Sequence, residues 1–476
     1  MQRTTRMFLL VAGGLLALVV LLTLLAWTFV DSEWFRHCIE RTVSRAAGME
    51  LKIDGPVRIG LLPAPGLRME DLHLRNGNAE WISASGVVLQ IRIRPLLRGR
   101  VEVDSVDLLE PNLQLKRDSD GAYNFIPADR PDDAWDWGPL GIRHFRVRDA
   151  ALTFTDQASG KWIAAESCDW MGQNLAWRPA QSPSEWNPPD FQGHLNCRKV
   201  TYDALEVTEL QARVSVQDQR IEVGAVTGRL FDGRLRAELE SELSGPSPVH
   251  ALELELADFR VERYIETFQE EKGAEGLLTF TAKLNFSGGK PAEMVASLAG
   301  QTELSGTGLV LHGWDLDEQL ARYESTQRFN LVDTAAFFLA GPVGLVVTRG
   351  YGFASLFRAD DEQTTIQELV SRWAVENGTA RARDVALSTA ENRLALAGGL
   401  NFVTLRFEDL RVAVIDTKGC AVVEQRVQGE FRDPMIAQPN FLVTLAGPLI
   451  DIVKRGIGLF TESDCDPFYT GRIEQP

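Results

Sequence analysis

Much of what would announce a chemistry is missing from this chain of 476 residues. Its six histidines (His37, His73, His144, His194, His250 and His312) are scattered, and no HExxH pair occurs. There is no GxSxG elbow and no phosphate-binding glycine loop. Acidic stretches such as Asp360-Asp361-Glu362, and Asp464 with Asp466, could offer metal ligands. Nothing places a third ligand beside them, so solvated turns are the simpler reading. The chain does not read as an enzyme, and no catalytic residue, cofactor or metal is expected. An excess of basic charge is missing too: 49 Lys and Arg face 66 Asp and Glu, for a net charge of −17. That argues against nucleic acid, which calls for basic patches, and against wide electrostatic docking on an anionic membrane. No low-complexity run occurs, so little of the chain is expected to be disordered.

Cysteine is scarce. None of the five (Cys38, Cys168, Cys197, Cys420, Cys465) forms a CxxC pair, which argues against zinc ribbons and thioredoxin-like sites. In an oxidising compartment Cys420 would pair with Cys465 and Cys168 with Cys197, leaving Cys38. Five small buried apolar residues are the alternative. Closing the Cys420–Cys465 loop would stabilise the fold by about 4 kcal/mol in the chain-entropy treatment.

What is present begins with Met7–Val30, a run without charge that contains nine leucines. As a helix it would be roughly 36 Å long, enough to cross a hydrocarbon core. Arg3 and Arg6 precede it, and Asp31 and Glu33 follow. The charge asymmetry places residues 1–6 in the cytoplasm and exports the rest. A cleaved signal peptide is the alternative, but Ala-Trp-Thr-Phe-Val at the far end suits an uncleaved anchor better. Ser32–Ala47 then carries apolar residues at helical spacing, with Gly48 as its stop.

From Met49 the apolar period becomes two. In the segment after Pro65, Leu67, Met69, Asp71 and His73 are expected on one face, and Arg68, Glu70, Leu72 and Leu74 on the other. Leu89, Ile91 and Ile93 alternate with Gln90, Arg92 and Arg94. Such alternation marks half-buried antiparallel strands. Hairpins are expected at Ala158-Ser159-Gly160 and near Asp218 and Asp232-Gly233. Short helices are expected around Val261–Phe268, over 314–338, around Ile366, Leu369, Val370 and Trp373, and over 445–460. Six tryptophans between Trp135 and Trp186 could form a sugar platform, although core or groove packing is the commoner use.

The order of pieces in the first third is also distinctive. Gly55-Pro56 leads to a Leu-Pro-x-Pro-Gly-Leu turn (62–67), then Leu72–Asn76, Arg94–Val101, Glu110–Leu115 and Asp120–Phe125. In this order, after an apolar anchor and a short helix, they resemble the AsmA-like family of bacterial envelope proteins. Phe231–Leu235, Leu298–Gly308, Leu311–Leu320 and the Gly-Cys-Ala … Cys-x-x-Phe-Tyr-x-Gly tail resemble it as well. The likeness supports pairing Cys420 with Cys465. It implies an anchor in the bacterial inner membrane, a periplasmic body, kinship with repeating β-groove lipid carriers, and a role in phospholipid movement or outer-membrane integrity.

The expected fold is therefore mainly β: a transmembrane helix, then elongated, curved antiparallel sheet forming a groove, with a few amphipathic helices. The segments are 1–6 (cytoplasmic), 7–30 (anchor), 31–126 (helix and first β region), 127–189 (linker and Trp-rich hairpins), 190–312 (β-meander) and 313–476 (C-terminal region). A sheet with one apolar face needs a cover, and few helices are available. Acyl chains would suit such a trough, each CH₂ withdrawn from water being worth about 0.8 kcal/mol. Leu89, Ile91 and Ile93 are its candidate lining. Membrane phospholipids are the expected partners, with envelope proteins as further candidates. The rival reading is an assembly factor for outer-membrane proteins that offers sheet edges or the Trp-rich region.

Overall fold

The computed structural model describes residues 33–60, 65–77, 79–92, 103–126, 140–177, 189–268, 273–312, 363–438, 440–441 and 465–473, with Pro95 and Asp317. The expected span Met7–Val30, the helices over 314–338 and 445–460, and Ile93 lie outside the described residues, apart from Asp317. Among the described residues no helix is long and apolar enough to cross a membrane. The chain divides into two units, one ending at Gln219 and one beginning at Arg220.

The first unit opens with α1 (Glu33–Ala47), which stops where Gly48 takes φ +67°. It docks on β1 (Glu50–Ile53) through polar side chains as well as apolar ones. Ser44 Oγ accepts from the Leu51 N–H at 2.8 Å and Glu40 Oε1 from the Ile53 N–H at 2.9 Å. Phe35 and Ile39 pack against a cluster of Ile53, Val57, Met69, Leu72 and Val87. That cluster belongs to β1, β2 (Val57–Gly60), β3 (Gly66–Asn76) and β4 (Ala79–Ile91).

Then comes β5 (Val103–Leu109) and β6 (Asn112–Arg117), in effect one strand broken at Glu110-Pro111. Both pair with β7 (Leu140–Asp156), and both pairings are parallel: Val106 lies opposite Phe145 and Leu113 opposite Leu152. The expectation of a purely antiparallel sheet is thus corrected. The chain leaves β6, turns at Asp118–Gly121, and re-enters at β7 in the same direction; parallel pairing demands such a crossover. β8 (Lys161–Trp177), β9 (Asp190–Tyr202) and β10 (Leu205–Gln217) continue antiparallel. The β7–β8 turn spans 157–160 and contains the hairpin expected at Ala158-Ser159-Gly160.

The second unit is an antiparallel meander: β11 (Arg220–Leu230), β12 (Gly233–Glu242), β13 (Val249–Arg260), β15 (Leu277–Ser287), β16 (Ala299–His312), β17 (Gln363–Glu376), β18 (Thr379–Ser388), β19 (Arg393–Asn401), β20 (Arg406–Ile415) and β21 (Ala421–Glu430). Two-residue β14 (Ala274–Glu275) pairs with β16, while β22 (Asp433–Ile436) and β23 (Asn440–Phe441) pair with β21. The expected helix near 261–268 is α2 (Val261–Phe268), and α3 (Pro291–Ser297) joins β15 to β16. Phe231-Asp232 turns β11 into β12 with φ of +52° and +62°, the left-handed pair a tight hairpin requires.

The helix expected around Ile366 and Trp373 is instead β17. Its alternation slips at exposed Gln367-Glu368, so Ile366, Leu369 and Trp373 all reach one core while Val370 faces another. That slip mimics helical spacing. The same effect corrects β3: Met69 and Leu72 share one cluster, because Asp71 between them adopts φ +56° and shifts the alternation by one residue. The shift recurs at Asp149 in β7, Ser167 in β8 and Glu209 in β10, all left-handed. These residues fall on one line across the first unit, marked by the pairs Leu109–Arg148, Ala150–Cys168, Cys168–Cys197 and Leu210–Cys197. Extra residues of this kind bend a strand and raise its twist, so the line is a crease in the sheet.

Candidate functional site

The apolar face of the first unit can be read row by row. Met69, Val87, Leu108, Val147, Trp170 and Leu195 lie opposite one another across β3, β4, β5, β7, β8 and β9. At about 4.8 Å per strand the row is about 24 Å long. Met69 and Val87, at the end where α1 packs, are buried; Leu108, Val147, Trp170 and Leu195 are only half-buried. Among the described residues the helices pack mainly on β1, β13, β14 and β15, not on β7–β10. The face that α1 seals at one end is therefore partly open at the other.

The opposite face of the same strands is charged and ion-paired. Arg146 and Arg148 both reach Asp107 at 3.5 Å, and Lys199 reaches Glu166 at 3.1 Å. Arg198 adds a hydrogen bond to Glu166, and the Lys199 and Arg198 contacts hold that carboxyl below the usual range. These exposed pairs give solubility more than stability.

The second unit has the same division. Val223, Leu239, Leu252 and Leu284 form a half-buried row across β11, β12, β13 and β15. Two rows further, Leu235, Leu256, Phe280 and Leu304 run from half-buried into a fully buried core shared with Leu369, Leu387 and Leu400. Behind Leu239 stand Glu238 and Glu240; Arg220 bridges Glu222 and Glu240 at 2.9 and 3.1 Å. Over β17–β20 the other face is apolar as well, and residues 468–473 cover it with Tyr469 and Ile473.

Cys168 is bonded to Cys197 and Cys420 to Cys465, with Cα separations of 4.1 and 6.1 Å; Cys38 is free and exposed. The first bridge lies on the crease and locks β8 to β9, and the second ties the C-terminal segment to the β20–β21 turn.

Of the candidate lining, Leu89 is half-buried on the apolar face, between Leu67 and Val106. Ile91 is half-buried opposite Val103 beyond a register shift. Phe145, Val147 and Leu195 were not singled out by sequence. Their signal was present but concealed, since a change of phase at Asp149 and near Arg198 breaks the alternation that would have linked them. One cluster of potential ligands, Asp54, Asp71 and His73, occurs among the described residues. It is already stitched by Lys52 to Asp54 at 2.8 Å and by His73 to Asp71 at 3.2 Å and Glu80 at 3.1 Å.

These features define a class: an extended-strand β protein with one ion-paired face and one apolar face that is only partly covered. The AsmA family model matches residues 1–168 and 124–385, and the chain belongs to the AsmA family. No curated protein and no solved structure gives a significant match.

Proposed function

We propose that this AsmA family protein holds lipid acyl chains on the apolar faces of its sheets and contributes to phospholipid transport or to outer-membrane biogenesis, anchored by Met7–Val30 in the inner membrane with its body in the periplasm. One observation carries the reading: the row from Met69 to Leu195 passes from buried to half-exposed without a change in apolar character. Half-exposed Leu, Val and Trp side chains in continuous rows are costly in water, at about 25 cal/mol per Å². An acyl chain laid across them removes that cost and its own, while the head group stays in solvent. The chain has no need of a catalytic residue for this task, and the low specificity of hydrocarbon contact explains the lack of a sequence signature.

The test places a photo-cross-linking amino acid in the full chain in cells, at Leu195 or Leu239 on the apolar face and at His194 or Glu238 on the opposite one. Lipid adducts at the first pair and none at the second support lipid carriage. Adducts to unfolded outer-membrane proteins in place of lipid would favour the assembly-factor reading.

A further inference from the structure

The two disulfides stand in different surroundings. Cys168 and Cys197 lie directly opposite each other on β8 and β9, and both are buried. The ladder on either side, from Ile163–Tyr202 to Gly172–Gly193, holds these strands in register with or without the bond. Cys420 is half-buried in the β20–β21 turn, and Cys465 is exposed at the start of segment 465–473. That segment joins no strand. A thiolate exchanges with a disulfide only where it can reach a sulfur, so the second bridge is the accessible one.

The turn that carries Cys420 keeps its shape by itself. Asp416 Oδ1 accepts from the Lys418 N–H at 2.9 Å and the Cys420 N–H at 2.8 Å, and the Gly419 N–H donates to the Asp416 carbonyl at 3.0 Å. The C-terminal segment lies directly on this turn. A Cβ on Gly419 would collide with the Tyr469 carbonyl, and one on Gly471 with the Asp384 carboxylate. The Arg411 guanidinium stands 5.5 Å from the centre of the Phe468 ring. Beneath the segment, Val370, Ala386, Ala395 and Ala413 form one buried row across β17–β20. Alanine side chains end at Cβ, so the row is flat, and Tyr469 and Ile473 fill the layer above it. The same four strands send Leu369, Leu387, Leu394 and Val412 into the larger core on their other face. Lifting the segment would uncover the row and leave that core and the strand ladder intact. The segment is therefore a removable layer, with one sulfur fixed in the turn and the other travelling with it.

We propose that Cys420–Cys465 is a redox switch, opened by a dithiol reductant of the thioredoxin-like class, and that its opening frees residues 465–473 from β17–β20 while Cys168–Cys197 stays closed. This stands apart from the lipid-carrying reading. A thiolate of the reductant attacks Cys465 Sγ and forms a mixed disulfide, and Cys420 leaves as a thiolate and takes up a proton. The second thiolate of the reductant then attacks its own sulfur in the mixed disulfide, and Cys465 leaves and is protonated in turn. Two electrons have passed to the protein, and the reductant ends as its own internal disulfide. A disulfide donor reverses the sequence.

The test treats the full chain with reduced thioredoxin, caps free thiols with a mass-tagged maleimide and follows hydrogen exchange by mass spectrometry. Cys38 carries one tag before reduction. Reduction should raise the number of tags from one to three, on Cys38, Cys420 and Cys465, with Cys168–Cys197 intact. Exchange of residues 468–473 should accelerate at least about tenfold with the protection of β17–β20 unchanged, and oxidised glutathione should restore the original rate. Prior opening of Cys168–Cys197, no opening of Cys420–Cys465, or an open bridge with unchanged exchange overturns the proposal. Loss of protection throughout β17–β20 also overturns it, since the bridge would then be a structural staple. Cys420→Ser with Cys465→Ser gives a second readout: exchange of 468–473 should be fast from the start and indifferent to thioredoxin. A remaining response in that variant would assign the effect to the other bridge and sink the switch.

Discussion

Met69 and Leu72 stand three residues apart in one strand and pack into the same cluster, because Asp71 between them takes φ +56°. Left-handed backbone is tolerated by Asp, Asn and Gly and is costly for a β-branched side chain. Asp71→Val should destabilise the first unit by about 1–3 kcal/mol, whereas Asp71→Asn and Asp71→Gly should stay within about 0.5 kcal/mol of wild type. Chemical denaturation followed by circular dichroism reads the difference. The Asn variant also removes the exposed Asp71–His73 pair, so equal loss in Asn and Val variants would mean that the pair, not the backbone, holds the crease.

The same phase changes explain what could be read from sequence and what could not. Helices α1 and α2, the hairpin after β7 and the polar–apolar alternation of β10–β13 are all local patterns, and each was legible. The parallel placement of β5 and β6 beside β7 was not, since a crossover leaves no mark in the strands it joins. Nor were β17 or the open row on β7–β9, where the apolar set moves between odd and even positions partway along a strand. In β8, Ile163 and Ala165 precede Ser167 on odd numbers, and Cys168, Trp170 and Gly172 follow on even ones. Strict alternation sees two short strands with opposite faces; the folded chain has one.

The C-terminal segment is held as a strap. Tyr469 donates from its hydroxyl to Asp384 Oδ1 at 2.6 Å, the Phe468 N–H donates to the Gly419 carbonyl at 2.8 Å, and Arg393 donates to the Ile473 carbonyl at 3.1 Å. Tyr469 and Ile473 close the apolar cluster of Val370, Ala386, Ala395 and Ala413. Cys420→Ser together with Cys465→Ser should cost about 2–4 kcal/mol and make the strap the first site of proteolysis. Cleavage that starts elsewhere at an unchanged rate would show that the bridge does not secure it.

Acid should loosen the same strap. Burial by itself would push the Glu303 carboxyl up, but hydrogen bonds from Arg372 and Arg472 and their charges outweigh it, leaving its pKa below the ordinary 4.5. Arg372 lies 3.0 Å away, and Arg472 also reaches Asp384 at 3.3 Å. A carboxyl whose pKa is lowered by folding contributes stability fully above its unfolded value. That contribution is lost as pH falls through the lower folded value. Hydrogen exchange of residues 468–473 should therefore accelerate, beyond the intrinsic pH effect, only below about pH 4.5. In Glu303→Gln the strap should be looser at neutral pH and show less of this acid dependence. An unchanged profile in the variant would remove Glu303 from the latch.

Charge placed on the open rows separates binding from folding. Leu195 and Leu239 are half-buried, so Leu195→Asp and Leu239→Asp leave the new carboxylate access to water and should cost about 1 kcal/mol or less in stability. Beneath an acyl chain the same carboxylate would lose its hydration, a penalty of several kcal/mol against binding. Lipid adducts at neighbouring cross-linking positions should then fall at least about tenfold, the change a penalty of only 1.4 kcal/mol would cause. Leu89→Asp should behave differently. Leu89 packs against the cluster beneath α1, so a charge there disturbs the core of the first unit as well as any ligand. Loss of lipid at Leu195→Asp and Leu239→Asp with an intact melting transition, against loss of folding at Leu89→Asp, would place lipid on the open row of each unit and, in the first, away from α1. Undiminished adducts in the first two variants would mean that the rows are packed by protein and carry nothing.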